Sequence, residues 1–134
     1  MALGKNIELL TPQAHENLAI IPLKSEKAYI DLLTLKKGFE LGLVEVKECE
    51  NSTVNTLIVE NKAVTPLILI DGEEVIGGKQ NRILNSTVVI SPKSESKIPV
   101  NCTERGRWQY KSEFKSSMHL ADANTRRMKA RAIH

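Results

Sequence analysis

The stretch LVEVKECENSTVNTLIVENKAVTPLILID, Leu43–Asp71, decides the fold class. Leu43–Lys47 alternates apolar and polar residues, the mark of a half-buried strand, which predicts that Glu45 and Lys47 face solvent. The segment around CENSTVN is a turn by composition, and Thr56–Glu60 (TLIVE) reads as a second strand, followed by a turn over Asn61–Ala63. Pro66–Asp71 (PLILID) is apolar almost throughout, so a central strand buried on both faces is expected, ended by Gly72.

Working outward, Thr87–Ile90 and Ile98–Cys102 are further strand candidates, with a hairpin-like loop over Pro92–Lys97. Toward the N-terminus, Ile7–Leu10 reads as an edge strand and Thr11-Pro12 as a turn. Leu18–Leu23 (LAIIPL) is another strand, with Pro22 marking an edge or an end because proline donates nothing to a ladder. Between these, Thr34 is placed to cap one short helix near residues 34–41, with Gly42 as its stop, and Ala28–Leu33 before it is a possible strand. Six or seven short strands at roughly ten-residue spacing favour a mainly β, single-domain β-sandwich or jelly-roll-like barrel.

The composition agrees. A chain of 134 residues holds one ordinary core, and with 41% hydrophobic but only 4% aromatic residues that core is built from Leu, Ile and Val. The net charge of +3 is concentrated at the C-terminal end, in Lys111, Lys115, Arg126, Arg127, Lys129 and Arg131. A β-rich domain over residues 1–116 followed by a basic C-terminal helix or arm over 117–134 is the expected organisation. A short basic tail on a near-neutral body makes nucleic acid an unlikely partner. Cys49 and Cys102 lack CxxC spacing, so no zinc or redox motif is indicated, and His15 has no nearby histidine with which to share a metal. No metal or cofactor is expected. Neither a signal peptide nor an apolar run of membrane-spanning length is seen, which makes the cytoplasm the expected location.

The chemistry-bearing residues gather between Asp71 and Tyr110. Glu73, Glu74 and Glu104 are candidate acid/base carboxylates. Adjacent residues on a strand point to opposite faces, so Glu73 and Glu74 do not both aim into one site unless the strand breaks. Gly77-Gly78 followed by Lys79, Gln80, Asn81 and Arg82, with Asn85 beyond, offers backbone N–H groups and cations to an anion, without matching a P-loop or GxGxxG pattern. Arg105, Arg107 and Trp108 complete the candidate ligand-binding set: the guanidinium suits phosphate, and the indole is either a stacking face or a core plug. The same cluster also reads as an internal ion-paired network.

The runs LILIDGEEVIGGKQNR, LNSTVVISP and KIPVNCTERGRW, with NLAIIPL upstream, resemble the ARG and Rhodanese-Phosphatase-superfamily-associated protein domain family of bacteria and archaea. Its acidic GEE falls on Gly72–Glu74, its Gly-x-Lys-Gln-Asn-Arg run on Gly78–Arg82, and its Pro-Val-x-Cys-x-Glu-x-Gly-Arg-Trp run on Pro99–Trp108. The resemblance implies a metabolic neighbourhood of ADP-ribosylglycohydrolase and phosphatase partners, and longer members with sequence after the region matching Arg131. Three functions are therefore expected in competition. The first is a small β-domain binding a phosphate-bearing nucleotide related to ADP-ribose or NAD, with Lys79, Arg82 and Arg107 at phosphates. The second is a hydrolase using Glu73, Glu74 or Glu104. The third is a homo-oligomeric interaction module in which the cluster is structural.

Overall fold

The computed structural model describes residues 7–26, 30–49, 55–104, 106 and 109–132. The chain is mainly β and divides into two compact units, residues 1–30 and 31–134.

In the first unit, β1 (Ile7–Leu9) pairs antiparallel with β4 (Leu23–Ser25), and β2 (Gln13–His15) with β3 (Leu18–Ile20), so the unit is a two-tier hairpin. Leu18–Leu23 is two strands, and the break at Ile21-Pro22 falls where proline interrupts the ladder. Glu16 turns the tip with φ +50.

The second unit holds a three-stranded sheet in the order β11-β8-β5 and a curled six-stranded sheet in the order β13-β9-β10-β12-β7-β6. The strands are β5 (Leu33–Thr34), β6 (Val44–Glu48), β7 (Thr56–Asn61), β8 (Leu67–Leu69), β9 (Glu73–Ile76), β10 (Arg82–Leu84), β11 (Val88–Ile90), β12 (Ser94–Cys102) and β13 (Lys115–Leu120). Both sheets bury their inner faces in one aliphatic core: Val44, Val46, Leu57, Val59, Ile98, Val100, Leu84 and Val75 from the large sheet, Leu67, Leu69 and Ile90 from the small one. The short helix α1 (Leu35–Glu40) adds Leu35 and starts where expected, with Thr34 Oγ1 accepting from the backbone N–H of Lys37. Its C-cap is Leu41, and Gly42 follows at φ +66.

Two features explain the curl. β12 pairs with β7 from Ser94 to Pro99 and with β10 from Val100 to Cys102, so Pro99 sits where the strand changes partner and its missing N–H interrupts neither ladder midway. Asn61, wholly buried at the end of β7, donates to the carbonyls of Thr65, Ile90 and Ser91, and its Oδ1 accepts from the N–H of Ala63. One amide thus ties the large sheet to the end of the β8/β11 pair where β8 begins and β11 finishes.

Several local expectations change. Ile68 is only half-buried and Ile70 is exposed, so PLILID is covered on one face rather than both. Ser94–Lys97 continues β12 instead of looping, because its polar residues alternate outward from a paired strand. The polar Gln13–His15, not expected as a strand, forms β2. The stretch after Ser117 does reach a helix, α2 (Ala123–Ala132), but β13 precedes it and runs across residues 116–117. The CENSTVN turn lies mostly outside the described residues. Among the described residues, no helix is long and apolar enough to cross a membrane.

Candidate functional site

The curl of the large sheet brings one edge strand, β6, near the segment that leads into the other edge strand, β13, and a groove of about 540 Å³ lies between them. Its walls are Val44–Glu48 on one side and Tyr110 with Ser112–Lys115 on the other, with Phe39 and Gly78 contributing. Three of the five aromatic residues of the chain, Phe39, Tyr110 and Phe114, meet here.

The groove has a polar end, built on Glu48. Along β6 the residues Val44, Val46 and Glu48 share the inner face, so the alternation that buries two valines also turns a carboxylate inward. Glu48 Oε1 accepts from the backbone N–H of Lys79 at 2.8 Å and lies 3.9 Å from Nη2 of Arg82, whose side chain is 1% exposed. The Gly77-Gly78 turn delivers that N–H. Gly77 has φ +128 and its Cβ position is occupied by the backbone of Glu113 and Phe114; Gly78 has φ +51 and its Cβ position falls on the Phe114 ring. Gly78 also donates to Ser112 O at 2.8 Å and accepts from Lys111 N at 3.0 Å, which fastens the aromatic wall to the turn.

On the opposite flank, Glu45 is kept below the ordinary carboxylate range by hydrogen bonds from Lys62 and Lys47, so it remains an anion. Lys47 also bonds Glu60 at 3.1 Å.

The residues singled out in the sequence back this groove more than they line it. Asn81 Oδ1 accepts from Gly77 N at 3.1 Å and shapes the turn. Gln80 is buried and half-buried Lys79 contributes its backbone. Asn85 lies beyond β10 and donates to Asn101 Oδ1 at 3.2 Å. Glu73 and Glu74 diverge as adjacent strand residues do: Glu74 accepts from Thr103 Oγ1 at 3.2 Å, whereas half-buried Glu73 accepts from Ile70 N at 2.8 Å. Burial raises the Glu73 carboxyl above its ordinary range, opposed by that backbone bond. Glu104 is joined to Cys102, whose Sγ donates to Glu104 O and accepts from Glu104 N. Arg105, Arg107 and Trp108 lie outside the described residues. Among the described residues, no group of three or more His, Cys, Asp and Glu side chains is placed to hold a metal.

The sequence reading missed Phe39, Glu48, Tyr110 and Phe114. Their one available signal was scarcity, since in a chain with so few aromatics each one not assigned to the core is a candidate surface for binding.

The family model for the ARG and Rhodanese-Phosphatase-superfamily-associated Protein domain, ARPP-1, matches residues 6–134. The chain belongs to this family. The match takes in the whole groove and the whole polar cluster of this ARPP-1 domain. No curated protein and no solved structure matches the chain.

Proposed function

We propose that this ARPP-1 domain binds a phosphate-bearing nucleotide, of the ADP-ribose or NAD kind, in the groove between β6 and residues 110–115. The observation that carries the reading is the convergence of Phe39, Tyr110 and Phe114 with Lys47, Lys115, Glu45 and Glu48 on one cleft of about 540 Å³. That volume falls within the roughly 300–1,000 Å³ of small-ligand sites, and mostly apolar walls with a few polar groups are their usual composition. An aromatic face stacks a base for about 1–3 kcal/mol. The two lysines neutralise phosphate, and the two carboxylates accept from ribose hydroxyls.

In this reading the conspicuous sequence cluster is support. Lys79 and Arg82 hold Glu48, Gly78 gives the wall its shape, and Asn81 fixes the turn. The domain is then a receptor or scaffold for the nucleotide.

The test is a thermal-shift series with ADP-ribose, NAD, AMP and inorganic phosphate on the wild type and on Tyr110→Ala. A nucleotide at about 100 times its Kd adds roughly 2.7 kcal/mol of stability. A shift for one nucleotide that Tyr110→Ala abolishes is the expected result; absence of any nucleotide shift in the wild type overturns the reading.

A hydrolytic reading is favoured by one observation, the elevated Glu73 carboxyl, which suits a general acid. Glu73 is not among the residues that line the groove. Turnover of ADP-ribose that disappears in Glu73→Gln would make this the function.

A further inference from the structure

The charges that line the groove are not equally engaged. Lys47 lies 3.3 Å from Glu45 and 3.1 Å from Glu60, and Lys62 also holds Glu45. Glu48 accepts from the Lys79 backbone N–H and faces the buried Arg82 guanidinium. These charges answer one another within the wall. Glu113 and Lys115 differ: both line the groove, both are exposed, and neither side chain has a hydrogen-bond or ion-pair partner among the described residues.

The backbone sets the spacing of this pair. Phe114, between them, turns its ring into the core, so the three residues alternate as an extended chain does. Two residues of extended chain span roughly 6.6 Å, which sets one uncommitted anion and one uncommitted cation about that far apart along the wall. A ligand that satisfies both carries a positive and a negative group joined by a short spacer.

The aromatic side chains select the kind of cation. Phe39, Tyr110 and Phe114 line the same groove, and Tyr110 is 64% exposed, so its ring is open to a ligand. Aromatic faces attract a cation through the ring quadrupole, and a flat cation also stacks on them. A delocalised, weakly hydrated cation gives up less water to reach such a face than a primary ammonium does. Among nucleotides of the kind proposed above, adenine is neutral. The nicotinamide ring of oxidised NAD is a pyridinium cation, joined to its phosphate through one ribose.

We infer that the groove selects the pyridinium mononucleotide half of oxidised NAD: the cationic ring lies against the aromatic wall with Glu113 as its counter-charge, and Lys115 takes the adjacent phosphate. This deepens the nucleotide reading and rests on it. ADP-ribose has no base on that ribose and leaves Glu113 unmatched, so oxidised NAD is the preferred ligand of the two.

Isothermal titration calorimetry on the full chain tests this with oxidised NAD, NADH, nicotinamide mononucleotide, ADP-ribose and phosphocholine. Oxidised NAD and NADH share the adenosine and the pyrophosphate and differ in the charge of one ring. Oxidised NAD is expected to bind about tenfold tighter than NADH. Glu113→Gln keeps the shape of the side chain and removes its charge, which should bring the two ligands within about twofold of each other. Lys115→Gln should weaken both by the same factor, because both carry the phosphate. Neither substitution removes a partner within the fold, and circular dichroism checks that both variants remain folded. Equal affinity for oxidised NAD and NADH in the wild type overturns the inference and leaves the nucleotide reading standing. A preference that survives Glu113→Gln overturns it as well. Absence of binding by every nucleotide overturns the nucleotide reading and this inference together. Phosphocholine binding without nicotinamide mononucleotide binding overturns the pyridinium and assigns the charged pair to a quaternary ammonium phosphate.

Discussion

Glu48 and Lys79 are 31 residues apart in sequence, yet the backbone N–H of Lys79 donates to Glu48 Oε1 at 2.8 Å. That bond, with the Arg82 guanidinium behind it, joins the end of β6 to the Gly-Gly turn and closes the polar end of the groove. Replacing Glu48 with Ala is expected to cost about 2–3 kcal/mol, since it removes a charged acceptor from a backbone donor and from a buried cation. Glu48→Gln keeps an acceptor oxygen and is expected to cost about half as much. Urea denaturation midpoints at unchanged slope would show both losses and their order.

Asn61 is the structural counterpart of that carboxylate. Its amide satisfies three carbonyls and one N–H in a place sealed from water. Asn61→Ala is expected to destabilise by about 3 kcal/mol or more, because those groups lose a buried partner together. Asn61→Asp should be at least as damaging, as it sets a carboxylate against carbonyl oxygens. Equilibrium unfolding of the two variants separates this from a simple loss of volume, which would leave Asn61→Asp close to wild type.

Glu73 gives a signed pH dependence. Its folded carboxyl is raised from the ordinary value of 4.5, chiefly by burial, so folding favours the protonated form. Its contribution to stability is complete below the unfolded pKa and is lost as pH rises through the folded one. Glu73→Gln should remove that loss and gain on the wild type above this window. Glu45 and Asp122 act in the opposite sense: both are lowered, Glu45 mainly by the Lys62 hydrogen bond and Asp122 by that from Thr125, and what they add is lost as pH falls. Melting temperature measured from pH 4 to pH 8 in wild type and Glu73→Gln, at constant ionic strength, checks the sign.

Asp122 precedes α2 and accepts from the backbone N–H groups of Asn124 and Thr125 at 2.9 and 3.1 Å. Asp122→Ala is expected to weaken the start of α2, as removal of an N-cap does. Amide exchange should show the loss as faster exchange in residues 123–132, with β7 and β12 unchanged.

Gly78→Ala tests the groove wall. A methyl group there meets the Phe114 ring at a backbone conformation with φ +51, so the aromatic wall must shift. Both a loss of about 1–3 kcal/mol in stability and a weakened nucleotide shift are expected. An unaltered shift in a destabilised protein would move the ligand away from this wall.

Where two-residue alternation was strong, the strands were legible: Val44–Glu48 and Thr56–Asn61 lie within a residue of their expected bounds, and Thr34 announced its helix. β9, β10 and β13 were not, because Glu73-Glu74, Arg82 and Lys115–Ser117 carry polar side chains on strands held by their neighbours rather than by hydrophobicity. In the first unit Ile7–Leu10 and Leu18–Leu23 were legible as apolar strand, whereas β2, with Gln13 and His15, carried no such signal. The site followed the same division. Density of hydrogen-bonding residues pointed to Lys79–Arg82, which are indeed bound into one network with Glu48. The groove itself joins residue 39, residues 44–48 and residues 110–115, and only the curl of the sheet makes them neighbours.

The pairing of β7 with β12 sets Asn61 opposite Ser94 and Thr56 opposite Pro99, with β8 through β11 nested inside the closed loop. A chain wired this way cannot zip from one end. The β8–β11 and β9–β10 pairs must meet first, and only their formation shortens the loop that β7 and β12 have to close. Folding is therefore expected on the millisecond-to-second scale typical of non-local β topologies, with Asn61, the residue that locks the nested strands to the outer ladder, making its bonds to Ile90 and Ser91 late.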